Sequence, residues 1–166
     1  PELFDHTWII RDMKDIAKRL RATIQQTKVF DSLKYILTYP STSQLKIEFV
    51  PYRFEQIHKP NVLDGLFVDS IEDIAVNKLL TINQRTASKD FVDLYYVLKR
   101  FTLWDLRIGV EHKFGMEMEP LYIASLLKKA DELTDLPMMK KRLTLIKLKN
   151  FFLKESIRLA APMIKP

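Results

Sequence analysis

The sequence predicts an α+β fold, a short antiparallel sheet fragment followed by a helical C-terminal half. Three observations predict it. Two runs rich in β-branched and aromatic residues, 33–39 (LKYILTY) and 44–50 (QLKIEFV), stand close together early in the chain. From Ser70 onward apolar residues recur at three- and four-residue steps. Helix start and stop residues (Ser70, Thr102, Gly115, Pro120) punctuate that second half.

Taken in order, residues 5–27 read as an amphipathic helix. Ile9, Met13, Ile16, Leu20 and Ile24 share its apolar face and Asp5 is its N-cap. Arg11, Lys14, Lys18 and Arg21 make a second stripe. Asp12 and Asp15 dilute its charge, which favours a solvated face. Residues 40–43 (PSTS) form the turn between the two strands. In the second strand Leu45, Ile47 and Phe49 point one way, and Lys46 and Glu48 the other. Residues 51–64 read as irregular, with prolines at 51 and 60, and Leu66 to Val68 as a third strand. A helix over 71–84 opens at Ser70, with Asp73 placed as in a capping box. Ile74, Ala75, Val76, Leu79 and Ile82 supply its buried side. A second helix, 89–100, presents Phe91, Leu94, Tyr95 and Leu98. Thr102 caps a third that Gly115 ends, Pro120 opens a fourth to about 133, and a last one covers 144–160. The organisation read from this is a 1–69 part and a 70–166 helical domain.

Composition narrows the chemistry. The 166 residues include no cysteine, which excludes disulfides, a thiol nucleophile and Cys-ligated metals. The 3 glycines, Gly65, Gly109 and Gly115, are too few and too scattered for a P-loop or a dinucleotide fingerprint. No apolar run reaches the ~18 residues of a membrane helix, and a cytoplasmic location is the expectation. His6, His58 and His112 have no ligand spacing and read as surface residues. The net charge is +6. Between Leu136 and Lys154 lie Lys140, Lys141, Arg142, Lys147, Lys149 and Lys154 with no acidic residue, so this one segment accounts for the whole excess. It is either a phosphate-binding patch or the solvated face of a helix.

Two places carry candidate chemistry. Glu48, between Ile47 and Phe49, is either a solvated strand residue paired with Lys46 or, if other carboxylates converge on it, a metal ligand. Lys78 and Arg85 are seven apart, on one helix face. Lys89, Asp90 and Asp93 follow on the next helix, with Lys89 and Asp93 spaced as an ion pair. This is either a helical hairpin with surface ion pairs or a polar cluster at the hairpin mouth. In the second case two cations would bind phosphates while Asp90 or Asp93 orients them or takes a proton.

At these residues the chain resembles a known family. DIAVNKLLTINQRTASKDFVDLYYVL is similar to the central segment of the AbiEii/AbiGii toxin family of nucleotidyltransferases. Its members carry a Ser-Leu-x-Asp-Ile-Ala-x-x-Lys-Leu-like helix, an Arg soon after, and Lys/Arg-Asp-Phe-x-Asp-Leu-Tyr. Here these positions hold Ser70, Asp73, Lys78, Arg85, Lys89, Asp90 and Asp93. LKIEFV resembles the family's third-carboxylate strand, with Glu48 where Asp is commoner.

The resemblance implies a nucleotidyltransferase-like fold, with 1–69 as part of its α/β core. It also implies transfer of a nucleoside monophosphate from an NTP with Mg²⁺, tRNA as an acceptor, and an antitoxin partner. It implies that Glu48, Lys78, Asp90 and Asp93 are catalytic, with Glu48 the metal ligand. Lys78, Arg85 and Lys89 would bind substrate, with Lys140, Lys141 and Arg142 as candidates from the basic segment. One departure stands out: the chain has neither a Gly-Ser or Gly-Gly pair nor the Asp-x-Asp strand of the family. Two accounts are open. Either that part lies upstream of Pro1 and the chain is a truncated piece, or the protein is degenerate. On both, the 166 residues alone are expected to be inactive, and a non-catalytic RNA- or antitoxin-binding remnant is the alternative function.

Overall fold

The structure, a computed structural model, describes residues 6–164. The Asp5 cap and anything else expected of residues 1–5 lie outside the described residues. The architecture is α+β, and the chain forms two compact units that part between Arg53 and Phe54.

The first unit holds one helix and a three-stranded sheet. Helix α1 (His6–Arg19) is followed by β1 (Thr23–Val29), β2 (Ser32–Thr38) and β3 (Gln44–Phe49). The strands form an antiparallel meander in the order β1-β2-β3. Thr23 faces Thr38 across the first pair and Leu33 faces Phe49 across the second. The helix expected to reach residue 27 stops eight residues short, and β1 is a strand that the sequence reading did not find. A backbone device ends the helix. Ala22 N–H donates to the Ala17 carbonyl and Arg21 N–H to the Lys18 carbonyl, while Arg21 sits at φ 51. This is the reverse turn that usually takes glycine. Ile24 fits the period of α1, which is why the pattern appeared to run on. The β-branched residues of TIQQTKV belong instead to the ladder. Ile9, Met13 and Ala17 of α1 pack with Leu33, Tyr35 and Leu37 of β2. Ile16 and Leu20, expected inside, are exposed. On the other face of the sheet stand Lys34, Lys46 and Glu48.

The second unit begins with a segment that runs past His58 into a small hairpin, β4 (Asn61–Leu63) and β5 (Leu66–Val68). The stretch expected to be irregular thus contains a strand. Asp64 at φ 50 and Gly65 at φ 78 make the tight turn. Helices α2 (Ile71–Gln84), α3 (Ser88–Val97), α4 (Leu103–Phe114), α5 (Pro120–Lys128) and α6 (Leu145–Ile164) follow, with a short 3-10 turn after α5. The unit starts at Phe54, because α2 and α4 hold the 54–58 segment. Asp73 accepts from the backbone N–H groups of Ile57 and His58, and the Phe54 ring meets Phe114 edge-on at 4.7 Å.

The helix termini follow the expected chemistry. Ser70 Oγ accepts from Asp73 N–H, and Thr102 with Asp105 forms a reciprocal capping box. Gly115 closes α4 at φ 64. Val76, Leu79, Ile82, Phe91, Leu94, Leu106, Val110, Leu127, Leu148 and Phe152 form the centre of this unit's core. Gly109 lets α4 approach α2, since a Cβ there would collide with the fully buried Val76 Cγ2. In a helix interior, alanine ordinarily gains about 1 kcal/mol over glycine, but overpacking costs about 1–3. Gly109→Ala is therefore expected to lower the stability of the helical unit by up to about 2 kcal/mol, read from its denaturant midpoint. A rise in the midpoint would show that α2 and α4 can part at no cost.

No helix among the described residues is long and apolar enough to cross a membrane.

Candidate functional site

The site is built on the α2–α3 hairpin. Lys78 lies two turns along α2 from Ile71, and Arg85 is its C-cap, so the heptad spacing puts all three on one side. Asp90, in the first turn of α3, is completely buried. Its two oxygens are shared between the cations. Lys78 Nζ donates to Oδ1 at 3.0 Å, and Arg85 Nε donates to Oδ2 at 2.8 Å. Lys78 Nζ also meets Asp93 Oδ2 at 2.6 Å. Asp93 thus pairs across the hairpin with Lys78 rather than along α3 with Lys89. A helical neighbour at i, i+4 is worth only a few tenths of a kcal/mol. An ammonium already held by a buried carboxylate is the stronger partner.

The charges are set by this arrangement. Burial works against ionisation of Asp90, but the hydrogen bonds from Arg85 and Lys78 outweigh it and hold the carboxyl below its ordinary range. Burial likewise works against the Lys78 charge, and the bonds to Asp93 and Asp90 raise its pKa above the usual value. Both groups are therefore fully charged at neutral pH. Asp90 cannot take a proton there while it holds two cations. It can fix them, with Arg85 more exposed than Lys78.

A second buried carboxylate lies on the same helix. Asp73 Oδ1 accepts from Ile57 N–H at 2.9 Å and from Lys113 Nζ at 2.5 Å. Its Oδ2 accepts from His58 N–H at 3.2 Å and Ser70 Oγ at 2.7 Å. Only half of the expected capping box forms at Ser70, because these partners claim the Asp73 carboxylate. Despite its burial, those four donors hold Asp73 at about 2. Lys113 was not singled out in the sequence. It sits 40 positions from Asp73, and only the packing of α4 on α2 joins them.

The remaining candidates lie apart from this cluster. Lys89 is exposed and lines a depression with Thr86, Ser88, Glu132 and Asp135. Lys140, Lys141 and Arg142 are exposed in the loop before α6, with the Lys141 ammonium 5.1 Å from the centre of the Tyr96 ring. His58 Nε2 lies 2.6 Å from Glu72 Oε2, and His112 is exposed. Glu48, in the strand unit, has Lys46 Nζ at 2.8 Å and Lys34 Nζ at 3.7 Å. The Lys46 hydrogen bond, with Lys34 beside it, lowers the Glu48 pKa. Among the described residues no three His, Cys, Asp or Glu side chains gather as a metal site.

Comparison with known proteins agrees with the family resemblance. An uncharacterised protein of Aquifex aeolicus (strain VF5) is 34% identical over 65 residues, which is 38% of this chain. The chain spans 31% of the length of that relative. No solved structure gives a significant match. The model of one family, the nucleotidyl transferase AbiEii toxin of type IV toxin–antitoxin systems, matches residues 4–156, nearly the whole chain. The chain therefore belongs to the AbiEii nucleotidyl transferase toxin family.

Proposed function

We propose that the protein transfers a nucleoside monophosphate from an NTP to an acceptor hydroxyl, with tRNA as the acceptor and a cognate antitoxin as its cytoplasmic partner. One observation supports this most strongly. A completely buried carboxylate, Asp90, holds both Lys78 and Arg85 at the mouth of the hairpin. A solvated face has no use for such an anchor. A polyphosphate site does, because two fixed cations cost little further ordering when the anion arrives. In the transfer the acceptor oxygen bonds to the α-phosphorus, the bond to pyrophosphate breaks, and the hydroxyl proton passes to solvent water. Charge builds on the phosphate oxygens, and Lys78 and Arg85 are placed to offset it. Asp90 and Asp93 act through Lys78 as positioning residues. On this reading the chain has a nucleotidyltransferase-like fold.

Magnesium, which the family implies, is a poor fit for the described residues alone. Glu48 would be its ligand, yet two lysines already face that carboxylate, and no further carboxylates gather beside it. Additional ligands are needed before this protein could hold the metal.

The test is Lys78→Ala in the protein expressed from its complete coding sequence, assayed with α-labelled NTPs, Mg²⁺ and tRNA. Transfer is expected to fall about 100-fold or more. Arg85 still faces Asp90, so the melting temperature should move by only a few degrees. Transfer at the wild-type rate would overturn the assignment.

A further inference from the structure

A second surface lies at the other end of the same hairpin. Lys99 and Arg100 follow the end of α3, and Lys141 and Arg142 come from the loop before α6. The four line one depression with Ile71, Tyr96 and Val97, and no carboxylate lines it. All four cations are exposed, and none forms an ion pair among the described residues. Elsewhere on this chain exposed cations do find acids, as Arg11, Arg53 and Arg158 show. Here aromatic rings hold the two lysines instead. The Lys99 ammonium lies 4.5 Å from the centre of Tyr95 and 4.9 Å from that of Tyr96, and Lys141 lies 5.1 Å from Tyr96. Rings that order ammonium groups without neutralising them leave a positive site open to an anion.

Next to it is a depression of different character. Tyr95, Ile146 and Phe151 form its apolar wall, and Lys147, Asn150 and Lys154 its edge. Tyr95 and Tyr96, with ring centres 5.2 Å apart, link the two depressions. A cationic pocket beside an aromatic-walled slot with an amide at its rim matches one repeating chemistry, a phosphate followed by an unstacked base. Ile71 and Lys78 are seven residues apart on one face of α2, a rise of about 10 Å. The surface therefore leads along the hairpin toward Lys78, with Arg85 about another 10 Å along α2.

We propose that this face binds a single-stranded polynucleotide. Its phosphates lie at Lys99, Arg100, Lys141 and Arg142, and one base sits against Ile146 and Phe151. The inference rests on the transfer reading only for the use made of the bound strand. Binding itself needs neither NTP nor Mg²⁺ and is measured without them, so the two readings fail separately.

The experiment is fluorescence anisotropy of the 166-residue chain with a labelled 12-nucleotide single-stranded RNA, its duplex, and polyglutamate, over a salt series. The single strand is expected to bind with a log–log salt slope of about −2 to −3, as three or four phosphate contacts give. Changing Lys99, Arg100, Lys141 and Arg142 together to Gln should flatten the slope by about 2 and weaken binding at least tenfold at low salt. The Lys141→Gln/Arg142→Gln pair should flatten it by about 1 and serves if the fourfold variant folds poorly. Ile146→Ser with Asn150→Ala should weaken single-strand binding about fivefold without changing the slope. The proposal fails if the Gln variants bind like the wild type. It fails equally if the duplex binds as tightly as the single strand, or if polyglutamate binds and RNA does not.

Discussion

Asp73→Asn is expected to destabilise the helical unit by about 3–5 kcal/mol, the usual cost of removing one member of a buried ion pair. The Asp73 and Lys113 side chains are both 0% exposed. The amide keeps the shape of the carboxylate but takes away this counter-charge and turns two acceptor oxygens into one acceptor and one donor. That donor would face N–H groups of Ile57 and His58, or the Ser70 hydroxyl. Chemical denaturation of wild type and variant measures the loss. A difference below about 1 kcal/mol would mean that Lys113 and the 54–58 segment are held by something else. The pH dependence carries the same signature. Asp73 is depressed to about 2 from its usual 3.8. A depressed carboxyl contributes stability above its unfolded pKa and loses it as pH falls through the folded one. About 2 kcal/mol should therefore disappear between about pH 4 and pH 2 in the wild type. Asp73→Asn should lack this part of the acid sensitivity.

Asp90→Asn should cost less stability and more function. Its partners are not sealed in: the Lys78 side chain is 23% exposed and that of Arg85 55%. Both can turn toward water, so a loss of about 2–3 kcal/mol is expected, below the buried-pair range. The consequence for the site is greater, because nothing then fixes Lys78 relative to Arg85. Asp93 would keep Lys78 but draw it outward, since Asp93 is itself half exposed. Because the cation pair both binds the polyphosphate and offsets the charge that builds in the transfer, KM for NTP should rise and kcat should fall together. Asp93→Asn, which leaves the buried anchor in place, should show a smaller shift in KM. Equal effects from the two variants would deny Asp90 its anchoring role.

Much of this was legible in the sequence where one residue type does one job. Ser70, Thr102, Gly115 and Pro120 marked helix ends because their side chains or backbone satisfy terminal groups locally. The seven-residue spacing of Lys78 and Arg85 similarly required only helix geometry. What escaped depended on partners far along the chain. The expected first helix overran into β1 because Ile24 matched both the helical period and a strand, and only the turn at Arg21 decides between them. Strand β4 was missed although Asp64-Gly65 between Val62-Leu63 and Leu66-Phe67-Val68 is a strong hairpin signal. The Asp73–Lys113 pair could not be read from spacing at all. The neighbourhood of Lys99, Arg100, Lys141 and Arg142 arises only when the loop before α6 returns to the end of α3.

The two hydrophobic cores share no residue. That separation bears on cooperativity. Among the described residues the strand unit closes around six buried side chains, Ile9, Met13, Ala17, Leu33, Leu37 and Tyr35, little for an independent fold. The helical unit has a core several times larger. Such a chain is expected to show two melting events rather than one, in which case a single midpoint for the whole molecule would average unlike quantities. A probe confined to the helices, such as Phe151 or Phe152 labelled for NMR, follows the unit that carries Lys78, Arg85 and Asp90. The anchored cations could thus persist through partial unfolding of the strands.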